Sequence, residues 1–129
     1  MDSLLPQNSK EAVMDKKKVL IVEDMDSKQE DWAKALNGKV EIVSAFSISE
    51  AEERFQANPD IALIVMDACV PGDSPNTMDL VRKFRSTFKG PMIANSTCWD
   101  YRRALIGAGC DYEYSKYKVP KKVCEVLGL

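Results

Sequence analysis

The chain has 129 residues, 45% hydrophobic and 29% charged, which is an ordinary composition for one globular domain with a buried core. Its 18 Lys and Arg against 20 Asp and Glu give a net charge of −2, so it has no overall basic field, and we expect no direct nucleic-acid binding. The absence of histidine excludes histidine-based metal sites, catalytic dyads and phosphohistidine chemistry within this chain.

The cysteine pattern and the N-terminal region predict a cytoplasmic protein. The four cysteines form no CxxC pair, and no secretory leader precedes them. No apolar stretch approaches the roughly 20 residues that cross a bilayer, so we expect no membrane insertion. Residues 1–17 lack sustained apolar periodicity and are predicted to form a flexible N-terminal extension to a single domain over 18–129.

Beyond the extension, short β-branched segments alternate with amphipathic segments of about ten residues, which is typical of βαβ units. The pattern predicts an α/β fold with a doubly wound, five-stranded parallel sheet and helices on both faces. The most apolar segment, residues 61–66, should be the central strand, and it ends at Asp67. The predicted strands are residues 19–22, 40–44, 61–66, 92–95 and 111–115.

Helix starts are indicated by two capping boxes. Ser27 and Glu30 have this spacing before the first helix, and Ser47 and Glu50 have it before the second. The segment between the fourth and fifth strands is short, so we expect a short or irregular fourth helix. Pro120 suits the first turn of the last helix.

Polar side chains follow four of the five predicted strands. Open parallel sheets bind ligands outside the carboxyl ends of their strands. In the flavodoxin-like order 2-1-3-4-5 the first and third strands are neighbours, so their carboxylates should converge. The residues are Glu23 and Asp24 after the first strand, Asp67 after the third, Ser96 and Thr97 after the fourth, and Lys116 after the fifth.

Three carboxylates in one cleft repel one another unless a cation compensates them. The available ligands are hard oxygens, so Mg²⁺ fits better than zinc. We predict that Asp24 and Asp67 bind Mg²⁺ directly and that Glu23 binds it through water. Lys116 would then flank a phosphoryl group while Asp67 attacks it in line, and Ser96 would donate a hydrogen bond to it.

Four motifs in this order give the chain from about Lys17 onward a resemblance to the response-regulator receiver domains of two-component systems. Asp24 and Asp67 are 43 residues apart, and Asp67 and Ser96 are 29 apart, as is usual in that family. The motifs are KVLIVED with the acidic pair, NPDIALIVMDACVP with the phosphoacceptor, PMIANST with the hydroxyl residues and GCDYEYSK with the lysine.

The resemblance implies a phosphorylation switch. Asp67 would accept a phosphoryl group from the phosphohistidine of a histidine kinase or histidine phosphotransfer protein. The backbone carbonyl of Cys69 would complete the Mg²⁺ shell, and Ser96, Thr97 and Lys116 would contact the phosphoryl group. The protein would act as a stand-alone switch on a downstream protein target or as a phosphorelay intermediate. It would not be an enzyme beyond catalysing its own phosphorylation and dephosphorylation.

The chain departs from the family near the lysine. Tyr117 follows Lys116 where the family has a proline, which leaves the direction of the lysine open. Glu113 stands where receivers often carry the aromatic residue that couples to the hydroxyl. A slip of register would bring Tyr112 or Tyr114 to this place instead.

Two alternatives remain open. A degenerate receiver would keep the fold and bind a partner without phosphorylation, as the changes at Glu113 and Tyr117 would allow. A phosphohydrolase on a doubly wound sheet is the other, but the DxD pair of aspartate-based phosphatases is absent, because Ala68 and Cys69 follow Asp67. No GxxxxGK[ST] or GxGxxG motif indicates nucleotide binding.

Overall fold

The computed structural model describes residues 16–71 and 74–129. Residues 1–15, which carry most of the predicted N-terminal extension, lie outside this range. The strands are β1 (Lys18–Val22), β2 (Glu41–Ala45), β3 (Ile61–Asp67), β4 (Met92–Asn95) and β5 (Tyr112–Tyr114). The helices are α1 (Asp26–Ala35), α2 (Ile48–Ala57), α3 (Met78–Arg85), α4 (Trp99–Ala108) and α5 (Val119–Leu127), and a 3-10 turn (Lys116–Lys118) precedes α5.

The five strands form one parallel sheet in the order β2-β1-β3-β4-β5, which confirms the predicted flavodoxin-like topology. The order reverses between β1 and β3, so the carboxyl ends of these two neighbouring strands form the switch point of the sheet. Among the described residues, no helix is both long and apolar enough to cross a lipid bilayer.

Helices cover both faces of the sheet, as the alternating pattern predicted. On one face α2, α3 and α4 pack over Leu20, Ile64 and Met66. On the other face α1 and α5 pack over Ile21 and Val65. β1 and β3 are therefore buried on both sides, which explains why their sequences are almost continuously apolar rather than alternating.

Only the second of the two predicted capping boxes caps its helix, and its glutamate bonds the residue before the N-cap rather than the N-cap itself. The Ser47 hydroxyl accepts a hydrogen bond from the Glu50 N–H at 3.1 Å, and the Glu50 carboxylate accepts one from the Phe46 N–H at 2.8 Å. The prediction for Ser27 was wrong, because α1 begins at Asp26, and Met25 stands at its N-cap without a side-chain cap. The chain enters α1 directly from the acidic pair, which leaves Ser27 inside the first turn.

The expectation of a short or irregular fourth helix was also wrong. α4 has ten residues and buries Leu105 and Ala108 against the sheet. Gly109 ends it with φ of 140°, a conformation that favours glycine, so the helix can continue to Ala108 before the chain turns into β5.

The two serines give a matched test of the capping assignment. Replacing Ser47 by alanine removes the acceptor for the Glu50 N–H and should lower the free energy of unfolding by about 0.5–2 kcal/mol. Ser27→Ala removes no cap and should change it by less than about 0.5 kcal/mol. Urea unfolding of both variants checks this, and equal losses would contradict the assignment.

Candidate functional site

The register of the sheet brings three polar side chains together at the switch point. Ile21, Val65 and Ile93 are neighbours across β1, β3 and β4, and all three face the layer of α1 and α5. Since side chains alternate along a strand, the residues two positions further on face the same way. These residues are Glu23, Asp67 and Asn95, and all are at most 3% exposed.

The predicted carboxylates converge as expected. Glu23, Asp24 and Asp67 each offer an oxygen atom, and these atoms all lie within 4.8 Å of one another. Glu23 and Asp67 are buried, whereas Asp24 is half-buried at the entrance. A buried cluster of like charges is costly unless cations compensate it.

Lys116 provides the protein's own compensating charge. Its Nζ lies 2.9 Å from Glu23 Oε1 and 3.5 Å from Asp67 Oδ1. Burial alone would lower the pKa of Lys116, but the hydrogen bond to Glu23 and the charges of Asp67 and Glu23 outweigh burial and raise it. The lysine therefore remains an ammonium directed at Asp67.

Lys116 is directed into the site although Tyr117, rather than a proline, follows it. The lysine begins the 3-10 turn rather than ending β5, and its side chain points inward, while the neighbouring Tyr117 is 75% exposed. Lys28 of α1 lies 4.6 Å from the centre of the Tyr117 ring. The turn thus separates the buried lysine from an exposed aromatic residue.

The pKa of Asp67 is strongly raised. Burial and the nearby charge of Glu23 raise its pKa, with a smaller contribution from Asp24, and the opposing effect of Lys116 leaves it at about 7. A perturbed carboxyl group in a cleft with a specific partner is typical of a functional site.

A cavity of about 380 Å³ opens onto these groups. Ser96 is buried beside it, and its hydroxyl accepts a hydrogen bond from the Cys98 N–H at 3.1 Å. Within the part of the chain that the structure describes, no disulfide joins Cys69 and Cys98. The lining residues are Asp24, Met25, Asp67, Cys69, Ser96, Thr97, Cys98, Tyr101 and Lys116.

Three supporting residues escaped the sequence analysis. The Thr77 hydroxyl donates to the carbonyl oxygens of Asp67 at 2.7 Å and Ala68 at 3.1 Å. Gln29 Nε2 donates to the backbone carbonyls of Ile21, Glu23 and Ala45. Asn95 Nδ2 lies 3.4 Å from Glu23 Oε1.

Two of these residues carried a signal that could have been used. Asn95 stands two residues after Ile93, on the row that contains Asp67. Gln29 stands three residues before the buried Trp32, on the inner face of α1. Polar residues at positions where the pattern requires apolar ones indicate a buried hydrogen-bond network.

The pairing of β5 with β4 shows that Glu113 keeps the position at which receivers often carry an aromatic residue. Glu113 lies beside Ala94, so no slip of register brings Tyr112 or Tyr114 to that position. Tyr114 packs against the α1 and α5 layer. Glu113 forms ion pairs with Arg102 and Arg103 of α4 instead.

The donor set fits a hard divalent cation. Three carboxylates lie together beside a single ammonium, and burial together with the charges of Glu23 and Asp24 raises the pKa of Asp67. Oxygen ligands of this kind are those that Mg²⁺ prefers. Glu23 already accepts hydrogen bonds from Lys116 and from the Met25 N–H, which suits it to an outer position in such a site.

No family model and no curated protein matches the sequence. Solved structures do match. A two-component response regulator from Clostridium difficile is 19% identical, with a TM-score of 0.76 over 88% of this chain and 97% of that one. A CheY-like response regulator receiver domain from Methylobacillus flagellatus is 17% identical (TM-score 0.72, 88% and 97% covered), and one from Methanospirillum hungatei JF-1 is 18% identical (TM-score 0.71, 88% and 94% covered). The chain therefore has the receiver-domain fold, as its motifs predicted.

The raised pKa of Asp67 predicts a pH dependence of stability. Between its ordinary value of 3.8 and about 7, folded Asp67 holds a proton that the unfolded chain has released. The free energy of unfolding of the metal-free protein should therefore fall as the pH rises through this window, and Asp67→Asn should flatten this fall. Mg²⁺ should restore more stability at about pH 8, where Asp67 is ionised, than at about pH 5, where it holds its proton.

Urea unfolding from about pH 5 to about pH 8, with and without Mg²⁺, measures both effects. Asp79→Asn is the control, since Asp79 lies on the exposed side of α3 in an ion pair with Arg82. The same slope in the wild type and Asp67→Asn would show that Asp67 is not the titrating group.

Proposed function

We propose that this protein is a Mg²⁺-dependent phosphoryl acceptor, in which Asp67 receives a phosphoryl group from a phosphohistidine on a partner protein. The observation that supports this best is the Lys116 ammonium held against Glu23 and directed at Asp67, in a cavity shared with Asp24 and Ser96. The receiver-domain fold supports the same proposal.

Each residue of the site would have a separate role in the phosphoryl transfer. An Asp67 carboxylate oxygen attacks phosphorus in line, the P–N bond of the phosphohistidine breaks, and the imidazole leaves with its electron pair. Lys116 neutralises charge on the phosphoryl oxygens. Ser96 turns its hydroxyl toward the new phosphoryl group and donates a hydrogen bond, while Thr97 lines the entrance.

Mg²⁺ bound by Asp24 and Asp67 directly, by Glu23 through water and by the backbone carbonyl of Cys69 would neutralise further phosphoryl charge. Thr77 holds the carbonyl oxygens of Asp67 and Ala68, which keeps the end of β3 in place. Hydrolysis of the acyl phosphate would return Asp67 to its free form, so the protein would catalyse only its own phosphorylation and dephosphorylation.

The partners follow from this chemistry. The chain has no histidine of its own, so the donor would be a histidine kinase or a histidine phosphotransfer protein. The phosphorylated form would bind a downstream protein target or pass the phosphoryl group on in a relay. We place this cycle in the cytoplasm, where such donors and reduced thiols occur.

One observation favours a second function. Glu113 stands at the β5 position where receivers often carry an aromatic residue, and it forms ion pairs with Arg102 and Arg103. This arrangement is compatible with a module that binds its partner without phosphorylation. In that case the carboxylate cluster would contribute no regulation.

Intact-mass measurement after incubation with Mg²⁺ and acetyl phosphate or phosphoramidate separates the two functions. The wild type should gain the mass of one phosphoryl group, and Asp67→Asn should gain none, because the accepting oxygen is removed. Lys116→Ala should slow the gain, because nothing else in the described chain neutralises Asp67 at this distance. Asp79→Asn, an exposed carboxylate on α3, should behave as the wild type.

Tryptophan fluorescence adds a readout of metal binding. Trp99 is 60% exposed at the start of α4, near the cavity, whereas Trp32 is buried in the core. Mg²⁺ should change the emission of the wild type but not that of Trp99→Phe. No mass gain with either donor, together with no Mg²⁺ response, would favour the phosphorylation-independent module.

A further inference from the structure

Arg102 connects the cavity to β5. Its Nη1 donates a hydrogen bond to the Ser96 carbonyl oxygen at 2.6 Å, and its Nε lies 3.6 Å from Glu113 Oε1. The side chain is only 17% exposed, and that of Glu113 is 26% exposed. One guanidinium thus contacts both the end of β4 and the middle of β5.

The backbone at Ser96 is fixed from two sides. Its carbonyl accepts from Arg102, and its hydroxyl accepts from the Cys98 N–H at the start of α4. In this arrangement the hydroxyl is bound to the helix terminus. When the hydroxyl turns toward a group on Asp67 and leaves the Cys98 N–H, the backbone from Ser96 to Cys98 loses one of its two restraints, and the carbonyl that Arg102 holds becomes free to move.

We infer that Arg102 is a positioning residue that holds Ser96 and couples its position to Glu113 on β5. This inference rests on the proposed function, since the event that displaces Ser96 is phosphorylation of Asp67. When the Ser96 carbonyl moves, Arg102 loses its hydrogen bond there and rearranges against Glu113. The contact between α4 and β5 therefore differs between the free and the phosphorylated protein.

Charge explains why an arginine suits this position. Glu113 is half-buried and needs a cation, and a planar guanidinium can donate to a carboxylate and a carbonyl at once. Arg103 lies 3.0 Å from the other Glu113 oxygen, so Glu113 keeps one cation when Arg102 moves. The rearrangement leaves no isolated buried charge.

Arg103 also provides the matched control. It binds the same carboxylate and lies 5.6 Å from the centre of the Trp99 ring, and no hydrogen bond joins it to Ser96 among the described residues. Arg103→Gln removes one cation from Glu113 and leaves the contact with Ser96 in place. Arg102→Gln removes a cation of the same charge together with that contact.

The first part of the test needs no phosphorylation. Amide chemical shifts of ¹⁵N-labelled protein report the Ser96 peptide through the Thr97 N–H. Glu113→Gln should shift the Thr97 amide in the wild-type background and leave it unshifted in Arg102→Gln. Arg103→Gln should leave the Thr97 amide unchanged. A Thr97 shift of the same size with and without Arg102 would overturn the inference.

The second part adds Mg²⁺ and acetyl phosphate and measures the phosphorylated fraction of each variant by intact mass. Phosphorylation should shift the Glu113 amide in the wild type and in Arg103→Gln, and this shift should be lost in Arg102→Gln at the same phosphorylated fraction. Arg102→Lys, which keeps the charge but not the planar fork, should restore part of it. An undiminished Glu113 shift in Arg102→Gln would overturn the inference.

The two proposals fail in different ways. If the wild type gains no phosphoryl mass, the proposed function fails, and the Thr97 measurement alone decides whether Arg102 positions Ser96. If Arg102→Gln does not give a dispersed spectrum of a folded protein, Arg102→Lys tests the same contact with a milder change, and Glu113→Gln tests it from its other end.

Discussion

Three carboxylates compensated by one ammonium form the interaction on which the rest of this site depends. Glu23 and Asp67 are buried, and Lys116 contacts both of them. Burial, together with the nearby charge of Glu23, raises the pKa of Asp67 to about 7 and makes the metal-free site a local source of instability. A cluster of this kind attracts cations because its negative charges are incompletely compensated, and the hydrophobic sheet around it supplies the stability that it lacks.

The parallel sheet sets the positions of these charges. β1 and β3 are buried on both faces, so their backbones have little freedom, and every second residue along them faces the same layer. The row of Ile21, Val65 and Ile93 continues into Glu23, Asp67 and Asn95. The apolar core and the polar site are therefore successive parts of one alternating pattern. At the boundary between them, Gln29 donates a hydrogen bond to the Glu23 carbonyl and Thr77 donates one to the Asp67 carbonyl.

The sequence predicted the parts of this structure that depend on local pattern. Apolar runs identified the strands, and the polar residues at their ends identified Asp24, Asp67 and Lys116. Contacts across elements were not accessible in this way. Ser27 has the same spacing to Glu30 as Ser47 has to Glu50, yet only Ser47 caps a helix, because the path of the chain out of β1 places Met25 at the N-cap of α1.

The role of Glu113 shows the same limit. Its identity was visible in the sequence, but its partners lie ten and eleven residues earlier on α4, and only the packing of α4 on β5 selects them. A register slip would place Tyr112 or Tyr114 beside Ala94, but the pairing of Ala94 with Glu113 excludes it.

The charge of Glu113 also limits how β5 can respond to the site. An aromatic side chain could move into space vacated by Ser96 at little electrostatic cost, whereas a carboxylate moving toward Asp67 would add a fourth negative charge to a cluster that is already undercompensated. Glu113 must therefore remain outside the cavity, where Arg103 holds it. A cation that reaches both sides can couple them without this cost, and among the described residues Arg102 is the one that contacts Ser96 and Glu113 together.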